Sequence, residues 1–149
     1  MRILALDPGE KKIGVALSDP TGLVARPLTT LPHTARDADA ARIAALAVEQ
    51  QAELILIGFA LDAADAPGPQ ARRAERLADA LRQHTSIPVK LHDESYSTQA
   101  AQATLLTTGK KRRRSPSGDR ARRALRAQIH AVAAAAILQS YLDAHPRRD

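Results

Sequence analysis

Apolar and polar positions change period along this chain, and each change marks an element. Two short apolar runs, Ile3-Leu4-Ala5-Leu6 and Ile13-Gly14-Val15-Ala16-Leu17, are split by Pro8-Gly9-Glu10-Lys11-Lys12. They predict strands over 2–7 and 12–18, and a third over 23–31 after the turn Pro20-Thr21-Gly22. A helical period follows at 35–51, with Thr34 as N-cap and Ile43, Leu46 and Ala47 on one face. Leu54-Ile55-Leu56-Ile57, within 53–58, is a continuous apolar run that suits a buried strand parallel to its neighbours. Pro69 then opens a helix to about Gln83, with Leu77 and Leu81 inward. Pro88 to His92 predicts a fifth strand. Ser97 or Thr98 caps a helix to about Thr107, a basic loop covers Gly109 to Asp119, and a last helix runs from about Arg120 to Leu142. His145 to Asp149 reads as a frayed tail. The order β-β-β-α-β-α-β-α-α implies an α/β fold, a mixed five-stranded sheet flanked by helices, in a single domain over 1–149.

Composition narrows the chemistry. Hydrophobic residues make up 44% of the chain but aromatic ones only 2%, so the core rests on Leu, Ile, Val and Ala, and an aromatic base-stacking platform is nearly excluded. The absence of cysteine removes disulfides, thiolate metal sites and Cys nucleophiles together. A metal would sit on carboxylates or histidines, which points to Mg²⁺ or Mn²⁺. No apolar run is long enough to span a membrane, and the N-terminus reads as a strand, so the expected location is the cytoplasm.

The net charge of +6 is local. Nine of the 22 basic residues lie between Lys110 and Arg126, with Asp119 the only acid among them; the remainder holds 13 basic and 15 acidic residues. Lys110, Lys111, Arg112, Arg113 and Arg114 would track phosphates. Arg122, Arg123 and Arg126, spaced to share a helix face, would extend that track toward His130. Lys11 and Lys12 add positive charge beside the first turn. Nucleic acid is the partner this pattern implies.

Candidate chemistry begins at Asp7, an acid at the tip of the first strand beside a glycine turn and two lysines, a placement suited to holding a divalent cation against a phosphate. Asp93 and Glu94 follow the fifth strand. Neighbouring side chains of a strand point to opposite faces, so only one of them would reach a given site, and Glu94 is preferred. His130 stands where the last helix changes from basic to apolar. At Pro69-Gln70-Ala71 the free N–H groups of Gln70 and Ala71 offer a weaker phosphate site.

Five ordered segments, LALDPGEKKIGVALSD, ILIGFALD, GPQARRAERLADAL, DESYST and IHAVAAAAILQSYL, resemble the YqgF (RuvX) family over almost the whole chain. The family comprises Holliday junction resolvase-like proteins also implicated in maturing the 16S rRNA precursor. The resemblance implies a ribonuclease H-like fold and a nuclease that hydrolyses phosphodiesters with two divalent ions, about 3.5–4 Å apart. It matches Asp7 to the family's first-strand acid and Glu94 to the Glu of its DER-type motif. The third acidic position, in an Ile-Asp-Ala-Val-Ala-Ala motif, is His130 here. Imidazole in place of carboxylate favours Mn²⁺ over Mg²⁺. Three outcomes stay open: His130 serves as ligand or proton donor, Asp93 or Asp119 completes the site, or the protein binds RNA and cuts it weakly. RNA, and pre-16S rRNA in particular, is the favoured substrate, with a DNA junction as the alternative. The pattern Asp-x-Gly also opens the ATP-binding half of sugar kinases and actin-like ATPases, but those need two such domains. Nothing in the sequence decides between monomer and dimer.

Overall fold

A computed structural model describes residues 1–59, 68–93 and 119–145, with side chains in the last stretch from 129 onward. Five strands form one sheet: β1 (Ile3–Pro8), β2 (Lys12–Ser18), β3 (Ala25–Pro32), β4 (Leu54–Phe59) and β5 (Val89–Asp93). Their order is β3-β2-β1-β4-β5. The first three are antiparallel, while β1, β4 and β5 run parallel. Helices α1 (Arg36–Glu49) and α2 (Pro69–His84) supply the crossovers to β4 and β5, and α3 (Asp119–Ala144) follows. The expected mixed five-stranded sheet is therefore present. The helix expected from Ser97 or Thr98 to about Thr107, and the basic loop from Gly109 up to Asp119, where α3 begins, fall outside the described residues.

Alternation along the strands assigns the two faces. Leu4, Leu6, Ile13, Val15, Ile55 and Ile57 pack against Ile43, Leu77 and Leu81 of α1 and α2. Ile3, Ala5, Ala16 and Leu56 pack against Ala134, Ile137 and Leu138 of α3. The second face mixes these large residues with alanines and glycines, and α3 lies close upon it where the small ones stand. A Cβ on Gly14 would fall 1.9 Å from the His130 carbonyl oxygen, and one on Gly58 would fall 2.5 Å from Ile137 Cδ1. Both positions need glycine because the helix occupies the space a side chain would take.

Two boundaries differ from the sequence expectation. The third strand starts at Ala25, not residue 23, because the Leu23 and Val24 amides both donate to Asp19 Oδ1, at 2.8 and 3.1 Å. That turn is strongly acid-stabilised: the Thr21 hydroxyl and the backbone amides hold the Asp19 carboxyl down at about 2. The N-cap of α1 is Ala35 rather than Thr34. Thr34 is engaged elsewhere, its N–H and hydroxyl both donating to Asp39 Oδ1. Asp39 is buried, and burial alone would raise its pKa. The donors His33, Thr34 and Arg42 outweigh that effect and hold it below the ordinary carboxylate value.

Candidate active site at the end of the first strand

Asp7 continues the row Ile3, Ala5 along β1, so its side chain projects to the face covered by α3. Its register partner on β2 is Gly14. On the other side Gly58 follows Ile57, the partner of Leu6. Asp7 is thus flanked on both neighbouring strands by residues without side chains, and α3 descends to the sheet there. His130 is brought over Gly14 by this close approach, and its Cε1 lies 3.9 Å from where a Cβ on Gly9 would stand. Asp7 and His130, 123 positions apart in the chain, are carried to the same face and the same end of the sheet.

The β1–β2 turn is closed by the Gly9 amide donating to the Lys12 carbonyl at 2.8 Å. A Cβ on Gly9 would lie 2.7 Å from that oxygen, so the turn accepts no larger residue. Lys11 is exposed and Lys12 half-buried beside the site.

The electrostatics of the two groups are opposite. Burial pushes the Asp7 carboxyl up to about 6, with no hydrogen bond among the described residues to counter it. His130 is shifted down, first by burial and then by the positive charge of Lys12, so it is neutral near pH 7. A desolvated carboxylate without a described donor, at the same end of the sheet as an imidazole shifted toward its neutral form, offers lone pairs that a divalent cation could take.

Glu94, the expected third member, lies outside the described residues. Asp93 sits at the end of β5 in the row of Val89 and Leu91, on the face covered by α2, away from Asp7. Asp119 opens α3 eleven residues before His130, about 16 Å along the helix axis. Among the described residues no three His, Cys, Asp or Glu side chains form a metal-sized cluster. Arg122, Arg123 and Arg126 lie on α3 eight, seven and four positions before His130.

His92 was not anticipated. It pairs with Gly58 in the β4–β5 ladder and meets Tyr141 of α3 edge to face, with ring centroids 5.6 Å apart. Its Nε2 is buried without a hydrogen-bond partner among the described residues, and burial is the main cause that lowers its pKa. Only its neighbour Glu94 in sequence hinted at a position near the site.

The sequence profile of the RuvX family, described as Holliday junction resolvase, matches residues 1–144. The chain belongs to the RuvX family. A Myxococcus xanthus protein named "Putative pre-16S rRNA nuclease" is 41% identical over 145 residues, covering 97% of this chain and 89% of its own. One of the same name from Thermoanaerobacter pseudethanolicus is 34% identical over 148 residues, covering 99% and 100%. Among solved structures, Thermus thermophilus RuvC in complex with a Holliday junction substrate superposes with a TM-score of 0.57 at 16% identity, covering 98% of this chain and 97% of that one. The fowlpox virus Holliday junction resolvase gives 0.57 at 12% identity, covering 97% and 99%. The RuvX chain therefore has the ribonuclease H-like fold of these resolvases. Among its described residues no helix is long and apolar enough to cross a membrane.

Proposed function

We propose that this RuvX-family chain is a divalent-metal-dependent nuclease that hydrolyses phosphodiester bonds in RNA, acting in the cytoplasm on the 5′ end of the 16S rRNA precursor. Asp7, Glu94 and His130 are its catalytic and metal-holding residues. The names of its relatives support the substrate, and one observation carries the chemistry: the Asp7 carboxylate, desolvated at the strand end, lies on the face covered by the helix bearing His130 and has no donor among the described residues to balance its charge. When bound, a divalent cation supplies Lewis-acid stabilisation of the phosphate and lowers the pKa of water at the site.

The chain's own residues divide the remaining work. Asp7 offers oxygen ligands and His130 an imidazole nitrogen, a mixed set that favours Mn²⁺ over Mg²⁺. Lys11 and Lys12 draw the phosphate toward the turn. Lys110 to Arg114 and the α3 arginines extend the path along the backbone, positioning the strand without reading its sequence.

The test is cleavage of precursor 16S rRNA, single-stranded RNA and a four-way DNA junction, with Mn²⁺ or Mg²⁺. Asp7→Asn and Glu94→Gln are expected to lose more than about 100-fold in rate, since each removes a ligand rather than a supporting contact. Cleavage by both variants at the wild-type rate would sink the reading. His130 favours a second reading, a catalytically weak RNA-binding module, because it carries no negative charge. Tight RNA binding with no metal-dependent cleavage would select it. Cleavage of the junction alone would select a DNA resolvase.

A further inference from the structure

On the opposite face of the sheet from Asp7, a cavity of about 390 Å³ opens where the β1–β2 turn meets the first turns of α1 and α2. Its described lining includes four arginines, Arg36 from α1 and Arg72, Arg73 and Arg76 from α2, and a single carboxylate, Asp39. Asp39 is already saturated by His33, Thr34 and Arg42. Arg73 lies 4.0 Å from the exposed Glu10, and the other three have no carboxylate partner among the described residues. Positive charge gathers around the cavity, and among the described residues no ion pair offsets it at Arg36, Arg72 or Arg76. An anion would. Guanidinium forks match phosphate oxygens in pairs. Neither Ala35 nor Gly68 caps its helix with a side chain; Asp37 and Asp39 stand in the first turn of α1, whereas the first turn of α2 holds no acid, so the positive end of α2 adds to the same field.

The position of the cavity says which anion. Pro8 and Gly9 form part of its wall, and Gly9 is also the residue against which His130 stands. Gly9 lies within about 8 Å of Asp7 by chain connectivity. One turn therefore separates the arginine cavity from the candidate active site.

We propose that this cavity is a phosphate subsite for the nucleic-acid strand, holding a backbone phosphate one or two nucleotides from the phosphodiester that reaches Asp7. The inference rests on the nuclease reading and adds to it where the flanking strand lies: across the β1–β2 turn, toward α1 and α2, on the side opposite α3 and its basic residues.

Arg72 and Arg76 are exposed, so their replacement leaves the core intact. The experiment uses the full chain as the double variant Arg72→Gln/Arg76→Gln, with Arg82→Gln, on the same helix but outside the cavity, as control. Three readouts are taken: affinity for a fluorescently labelled single-stranded RNA at several salt concentrations in the absence of divalent metal, the KM and kcat of cleavage, and competition by inorganic phosphate. The double variant is expected to bind RNA about tenfold more weakly and to lose about 0.7 from the slope of log affinity against log salt, as for one phosphate contact on a single strand. KM rises while kcat is retained, phosphate no longer competes, and the control matches the wild type. Wild-type affinity and slope in the double variant would overturn the inference and leave the nuclease reading standing. Loss of phosphate competition with unchanged RNA affinity would overturn it too, identifying a site for free phosphate. Failure of the nuclease reading looks different: the wild type does not cleave, yet its RNA binding still depends on the arginine pair.

Discussion

The two faces of the sheet are built on different rules. Toward α1 and α2 the strands present Leu, Ile and Val, which fill the space to two helices with large side chains. Toward α3 they present Ala and Gly at Ala5, Gly14, Ala16 and Gly58, and the helix answers with Ala131, Ala133, Ala134 and Ala135. Large side chains keep a helix at a distance and make a deep core. Small ones let the helix backbone reach the sheet, which is how His130 comes over Gly14, the register partner of Asp7. One face gathers the larger apolar cluster, and the other is where the helix backbone comes closest to the strands.

Mutations on each face test that division. Leu81→Ala, in the α1/α2 core, is expected to cost about 4 kcal/mol by cavity formation while activity per folded molecule stays unchanged, as measured by denaturant titration and active-site titration. An activity loss beyond the unfolded fraction would show that the two faces are coupled.

Asp7→Asn probes the face toward α3. With its pKa raised from 3.8 to about 6, the carboxylate opposes folding once it must ionise in a buried site. That cost is absent below pH 4, grows as pH rises from 4 to 6, and is complete above 6, where it amounts to about 3 kcal/mol. The metal-free Asn variant should therefore melt several degrees above the wild type at pH 8 and show no such gain at pH 4. Adding Mn²⁺ should raise the wild-type melting temperature and leave the variant unmoved. Equal melting curves at pH 8 would mean that Asp7 is not desolvated as described.

Gly14→Ala lies on the same face and combines both effects. Its methyl would collide with the His130 carbonyl, pushing α3 outward at a cost of about 2 kcal/mol. Unlike Leu81→Ala, it should also reduce activity per folded molecule, because it moves His130. The smallest expected effect is His130→Asp, which restores a carboxylate: about a tenfold shift of metal preference from Mn²⁺ toward Mg²⁺ in the rate ratio, and no shift if His130 does not touch the metal.

The elements were largely legible from periodicity. All five strands and the helices α1, α2 and α3 fall within a few residues of their expected places, because strand and helix periods are local properties. The misplaced boundaries at residues 23 and 34 came from side chains, Asp19 and Asp39, that capture backbone amides several residues away. In the candidate site, Asp7 stood out as an acid at a strand tip and His130 as the residue where the last helix changes from basic to apolar. The arginine cavity did not, because Arg36 and the group around Arg72 are separated in sequence by a whole helix and strand.

The sequence by itself determined the order and type of the elements, the acid at the tip of the first strand, the local basic charge and the Ala-rich last helix. Each follows from spacing and composition within a short window. Only the tertiary structure decided that His130 lies over Gly14 at the same end of the sheet as Asp7, that Asp93 turns to the other face, and that four arginines share one cavity behind the Gly9 turn. These are consequences of strand order and of how closely each helix can approach the sheet. Both depend on side-chain volumes brought together from distant parts of the chain.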